Sequence, residues 1–157
     1  MSTSEGLCAQ LSTARQRFLA SVRDLSDAHS RIRPAGNEWS ILEVLAHMID
    51  VDDFYLGQAQ LLRKQPGATF NYFDDDAWKR AHPLPNGFEL EDVLMRLDAS
   101  HQRVLIGARS MTDEELTRPG VHPRAIPYTV RDVFLRFPAH DQNHQRQIDE
   151  IRAQLRI

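Results

Sequence analysis

The 157-residue sequence holds a single cysteine, Cys8. No disulfide can form within the chain, and a reducing, cytoplasmic setting is expected. No apolar run approaches the roughly 18 residues that a membrane helix needs. The opening stretch, MSTSEGLCAQ, lacks the basic and apolar regions of a signal peptide. No membrane partner is therefore expected. Positive charge is not in excess: 19 Lys and Arg stand against 22 Asp and Glu, a net charge of −3. With no basic tract either, nucleic acid is not an expected partner. Alternating apolar and polar residues, the mark of half-buried strands, are also missing.

What is present is globular and helical. Hydrophobic residues make up 41% and charged residues 26% of the chain, enough to build one domain over residues 1–157 without staples. Apolar residues recur at helical spacing over residues 5–25, 41–63, 88–109 and 130–155. The start signals are specific. Ser40 with Glu43, Thr129 with Asp132, and Thr112 with Glu115 each have the spacing of a capping box, and Trp39 and Val44 sit where a hydrophobic staple would. Asn86, just after Pro85, is the expected cap of the third long helix. The prolines and glycines at 34, 36, 66, 67, 83, 119, 120, 123 and 127 punctuate the gaps. Four amphipathic helices imply an all-α fold, a four-helix bundle. The connection between the second and third helices, residues 64–87, is too long for a simple turn. It is expected to pack on the bundle through Phe70, Tyr72, Phe73 and Trp78, as the wall of a pocket.

Two histidines break the fourth apolar stripe. His140 and His144 in AHDQNHQRQI stand four residues apart, where the period calls for apolar side chains, so both imidazoles should point into the bundle together. Asp141 shares that inward arc. On the second helix His47 lies at the flank of the stripe, Asp52 near its centre, and Asp50 on the side of His47. Polar groups on a core-facing arc are costly unless paired or bound. Two readings follow for the pair. Each histidine could be bonded to a carboxylate in the core, or the two could be metal ligands, since one helix supplies two ligands at this spacing. In the second reading His47 is the natural third ligand. Three histidines leave a position free for water, the pattern of a catalytic zinc site. HDQNH departs from the protease motif H-E-x-x-H by a shorter acid and no downstream ligand. Asp50, Asp52 and Asp141 are candidates to orient a ligand histidine or accept a proton. His101, on the third stripe, is either a core histidine or a fourth ligand. His29, His82 and His122 lie beside turn residues and are expected at the surface, and Asp74 to Asp76 read as a solvated loop. Pro138 removes a backbone hydrogen bond inside the fourth helix, so a kink is expected there.

Three blocks, EWSILEVLAHMIDVDDFYL, FDDDAWKRAH and GVHPRAIPYTVRDVFLRFPAHDQNHQRQI, together resemble the DinB-like superfamily, also described as YfiT-like metal-dependent hydrolases. The resemblance spans residues 33–155, and HDQNHQRQI is its most specific part. It implies a four-helix bundle, often paired into homodimers. It also implies a divalent metal, zinc first and nickel or another first-row ion next, held by His47, His140 and His144. Gln147 and Ile148 match the end of the motif, while Phe137-Pro138 and Gln145-Arg146 depart from it. Some relatives use small thiols to transfer or isomerise groups. The expected function is thus a metal-dependent enzyme acting on a small molecule and activating either water or a low-molecular-weight thiol. The alternative is a metal- or small-molecule-binding dimer without catalysis. A second apolar strip, with Leu42, Ile49 and Leu135 beside the main stripes, is consistent with pairing.

Overall fold

The computed structural model describes residues 3–83 and 88–157. Four long helices build it: α1 (Thr3–Val22), α3 (Ile41–Lys64), α5 (Leu90–Arg109) and α7 (Val130–Leu155), with short helices α2 (Asp27–Ser30), α4 (Asp75–Ala81) and α6 (Asp113–Leu116) between them. Strands β1 (Pro119–Val121) and β2 (Pro127–Thr129) pair antiparallel just before α7. α3 packs against both α5 and α7, and α1 packs against the same two, so α1 and α3 lie across a diagonal. The expected four-helix bundle, with its long connection between the second and third bundle helices, is the observed architecture.

All three capping boxes form, at Ser40 with Glu43, Thr112 with Glu115 and Thr129 with Asp132. They satisfy backbone N–H groups that the first helical turns leave open. α1 stops at Val22 rather than residue 25, because Ser26 starts and caps α2. α5 begins at Leu90 after Glu89, which makes no side-chain cap bond. The expected cap, Asn86, lies outside the described residues. α7 runs unbroken through Pro138.

The connection from α3 to α5 is more ordered than the sequence suggests. Asp74 accepts a hydrogen bond from the Ala77 backbone and caps α4, so the DDD stretch is a helix start and not a solvated loop. Phe70 and Trp78 are buried as expected, but Tyr72 is exposed. The backbone at Ala68 and Phe70 is tied to β1, with Phe70 N–H donating to the Val121 carbonyl and Val121 N–H to that of Ala68. Gly120 has no room for a side chain there: a Cβ would lie 2.4 Å from Leu62 Cδ2. Trp78 and Phe88 stand in the groove beside Leu42. Leu42 is therefore buried within the chain, not part of an outer strip; Ile49 is half-buried and Leu135 is exposed.

The core is divided. One apolar cluster holds Leu11, Val51, Tyr55, Val104 and Phe137; the other holds Phe18, Met48, Leu97 and Ile148. Between them every long helix contributes polar side chains at one level: Arg15 from α1, His47 and Asp52 from α3, Ser100 and His101 from α5, and His140, Asp141 and His144 from α7. This polar layer crosses the middle of the bundle and positions the site.

Candidate metal centre

His47, His140 and His144 converge at the α3–α7 face of the layer, with one ring nitrogen from each lying within 4.8 Å of the others. The Nε2 atoms of His140 and His144 are 2.8 Å apart, as expected for side chains one helical turn apart on one face. Gln147, one turn further, has its Oε1 2.8 Å from His144 Nδ1. An amide oxygen can only accept, so His144 Nδ1 carries the hydrogen and its Nε2 is left free toward the cluster. His47 is fully buried, not flanking, and its ring is bracketed edge-on by Trp39, Phe73 and Trp78. Trp39 in turn stacks on Trp78. The buried Nδ1 of His47 has no hydrogen-bond partner among the described residues.

Burial lowers the pKa of all three imidazoles. His47 falls to about 3, with the nearby His144 adding to the effect. His140 falls well below its ordinary value through burial and then the charge of His144 and its neighbours. His144 is also lowered by burial, against the bond to Gln147. Near neutral pH they are uncharged, the form in which imidazole ligates a metal. Three neutral nitrogen donors suit zinc or another first-row cation. Two such donors at 2.0–2.1 Å from one ion lie about 2.9–3.3 Å apart, close to the 2.8 Å between the Nε2 atoms of His140 and His144.

The carboxylates are placed differently from the sequence reading. Asp50 accepts from Trp78 Nε1 at 2.6 Å, so it holds the tryptophan that covers His47 rather than a candidate ligand histidine. Asp52 and Asp141 both turn to Arg15. Its guanidinium donates to Asp52 at 3.0 Å through both terminal nitrogens and to Asp141 at 2.9 Å through Nε and Nη2. Ser100 adds a 2.6 Å bond to Asp52. Burial opposes the charge on Arg15, but the two carboxylates outweigh it and raise its pKa. Burial also raises Asp141, against the pull of Arg15. Arg15 was not singled out from the sequence, although it occupies an apolar position between Leu11 and Phe18, and an arginine there signals a buried pair.

Asp75, read as loop, is the carboxylate nearest a candidate ligand: its Oδ1 lies 3.3 Å from His47 Nε2. It comes from the first turn of α4, which no sequence pattern had placed against α3. His122 is buried rather than at the surface. Its ring stacks on Phe70, and its Nε2 is 2.8 Å from the Tyr72 hydroxyl. His29 and His82 are exposed, as expected. Cys8 is buried, and burial raises its thiol pKa, which does not suit a nucleophile.

His101 is not among the cluster's ligands, and it is not a satisfied core histidine either, since neither of its ring nitrogens has a partner among the described residues. Burial, then the charge of Arg15, lowers its pKa to about 4. Between pH 6.5 and about 4 the unfolded chain binds a proton here that the folded chain does not, so this histidine lowers stability as pH falls. His101→Leu is expected to lose about 1–2 kcal/mol less than the parent between pH 7 and pH 5 in urea unfolding. Equal losses in the two proteins would contradict the assignment.

No curated protein sequence matches the chain. Among solved structures, YfiT from Bacillus subtilis, described as a probable metal-dependent hydrolase with an unusual four-helix bundle topology, superposes with a TM-score of 0.77 at 18% identity. The match covers 99% of this chain and 90% of that one. A sequence profile of the DinB superfamily matches residues 10–148, and the chain belongs to that superfamily.

Proposed function

We propose that the chain is a metal-dependent enzyme in which His47, His140 and His144 hold a divalent cation, zinc first and nickel or another first-row ion next. The observation that carries the reading is the convergence of three neutral imidazoles from two helices, one buried and two half-buried, within 4.8 Å. The description of YfiT as a probable metal-dependent hydrolase supports it. A cation on three histidines would lower the pKa of a water toward about 7 or accept a small thiolate in its place. The chain's own residues supply the rest. Gln147 fixes the tautomer of His144. Trp39, Phe73 and Trp78 wall His47 from solvent, and Asp50 anchors Trp78. The substrate is a small molecule, which hydrolysis or a thiol-dependent transfer would convert. Metal analysis of the purified protein, followed by cobalt substitution, tests this. A bound ion whose d–d spectrum shifts on adding a small thiol supports thiol transfer, and a spectrum that responds only to pH supports water activation. A protein that takes up no stoichiometric ion sinks the reading.

The proposal includes a homodimer. Closed two-fold pairs are the commonest soluble oligomers. Leu135 on α7 and Ile106 on α5 are large apolar side chains left exposed, although Leu42 no longer supports an outer strip. Light scattering at micromolar concentration should give twice the chain mass of 18.0 kDa; a mass near a single chain would refute pairing. No helix of the described residues is long and apolar enough to cross a membrane. The lone cysteine and the small-molecule chemistry are in keeping with a cytoplasmic enzyme.

A further inference from the structure

Arg136 is a cation with no anion opposite it. It lies on α7 one turn before His140 and is half-buried. Its guanidinium carbon stands 4.7 Å from the ring centroid of Tyr55, 4.9 Å from that of Tyr72 and 5.2 Å from that of Phe70. Among the described residues it enters no ion pair. Asp132, one turn earlier on α7, is turned to the Thr129 backbone and hydroxyl instead. Nη2 donates to Tyr55 Oη at 3.3 Å, the Tyr128 hydroxyl stands alongside, and the buried Nε has no partner among the described residues. Contact with three rings offsets part of the cost of burying the charge, but the fork of a guanidinium is matched best by a carboxylate. The neighbouring phenols are donors whose oxygens are already in use. Tyr55 Oη accepts from Arg136 and from the Phe73 backbone N–H at 3.2 Å. His122 Nδ1 accepts from the Arg124 backbone N–H at 3.1 Å, which puts the ring hydrogen on Nε2, and Nε2 donates to Tyr72 Oη at 2.8 Å. Neither hydroxyl proton has an acceptor among the described residues. Tyr72 is 42% exposed, so this donor set opens to solvent.

This set adjoins the histidine cluster. α3 and α7 run antiparallel along one face, with Tyr55 against Arg136 and His47 against His140 and His144. One helical turn, about 5.4 Å, separates Arg136 from His140. Phe73 joins the two groups, its ring centroid 5.3 Å from that of His47 and its backbone on Tyr55. We propose that Arg136, with the hydroxyls of Tyr55 and Tyr72, binds a carboxylate of the substrate and directs its reacting group toward His47, His140 and His144, so that the substrate is a small organic acid in its anionic form. The part played in a reaction rests on the metal-centre reading above; the anion site itself does not. One guanidinium balances one negative charge, which favours a carboxylate over a doubly charged phosphate. A neutral analogue of the same shape leaves the guanidinium and both hydroxyls unanswered, and a site built to hydrogen-bond a substrate group rejects an analogue that lacks it.

The test titrates the full chain, zinc-loaded and after metal removal, with benzoate, its neutral analogue benzamide, and inorganic phosphate. Binding is read by NMR from the arginine Nε–H and backbone amide resonances, with circular dichroism confirming that each variant is folded. In the metal-free chain benzoate should bind at least about fivefold more tightly than benzamide or phosphate. Arg136→Gln should raise the benzoate Kd by at least about tenfold, and Tyr72→Phe by about three- to tenfold. Arg136→Lys, which keeps the charge and loses the fork, should fall between the parent and Arg136→Gln. Tyr72→Phe removes one exposed hydroxyl, so it decides the matter even where Arg136→Gln does not fold. Benzamide or phosphate binding the metal-free chain as tightly as benzoate would overturn the proposal. So would a benzoate Kd within about twofold of the parent in either Arg136→Gln or Tyr72→Phe. Benzoate binding to the zinc-loaded form alone would place the carboxylate on the ion and overturn it as well. None of these results touches the three-histidine site. That site fails by a separate result, an unchanged zinc affinity in His144→Ala.

Discussion

Replacing His144 with Ala should abolish stoichiometric zinc binding while the bundle stays folded. The side chain contributes Nε2 at 2.8 Å from that of His140, and its own orientation is fixed by Gln147. Two remaining histidines on different helices make a poor site, because a structural or catalytic zinc takes at least three protein donors. The loss in affinity should exceed 100-fold, more than the about 10–100-fold typical of removing a group that only orients a ligand. The fold should not depend on the ion. Both apolar clusters, around Phe134 and around Leu45, are complete without it, and the three imidazoles are already held neutral by burial. Chelator competition and thermal unfolding of the metal-free proteins together decide the matter. A variant that binds zinc like the parent would take His144 out of the ligand set. A variant that unfolds outright would make the ion a structural staple instead.

How much of this could be read beforehand follows from the range of the interactions involved. Helices α3 and α7 were legible almost to the residue, since Ser40 and Thr129 cap through bonds spanning three residues and the stripes repeat every turn. His140 and His144 were legible for the same reason: both lie on one helix, and spacing alone puts them on one face. His47 needed the additional inference that α3 and α7 are neighbours. Features set by contacts distant in sequence were not legible. Asp75 reaches His47 only because Trp78 packs against α3 and brings α4 with it. His122 is buried because the Phe70 backbone bonds to Val121 and carries an aromatic wall over it. The three-residue strands β1 and β2 are too short to show alternation. The roles of Asp52 and Asp141 were misread because their partner, Arg15, is 126 residues from Asp141 in the chain. The inward arc showed correctly that they needed a partner but did not show which one.

That partner sets the second large effect. Arg15→Met should destabilise the metal-free protein by about 3–5 kcal/mol, the usual result of removing one member of a buried ion pair. Arg15, Asp52 and Asp141 are all nearly inaccessible to solvent. Methionine fills much of the arginine's volume, so a cavity is not the main loss. The loss comes from two carboxylates left in the bundle's centre without their guanidinium, with the Ser100 hydroxyl alone among the described side chains still donating to Asp52. Against a typical total of about 5–15 kcal/mol, this brings the fold close to its limit. The effect should be far from additive with the carboxylates. A triple variant, Arg15→Met with Asp52→Leu and Asp141→Leu, removes the unpaired charges along with their partner. It should recover most of the lost stability, since a buried ion network can often be exchanged for apolar side chains at little net change. Urea unfolding of the single and triple variants measures both terms. If Arg15→Met costs less than about 1 kcal/mol, water reaches the layer and the network is not the closed junction between the two apolar clusters. The triple variant also tests the metal centre from behind. Asp141 lies next to His140 on α7, so a folded triple variant that still binds zinc at parental affinity would show that the layer's ion network and its histidine cluster are separable. A folded triple variant with weakened binding would show that Arg15 and its carboxylates hold α7 where His140 and His144 can meet His47.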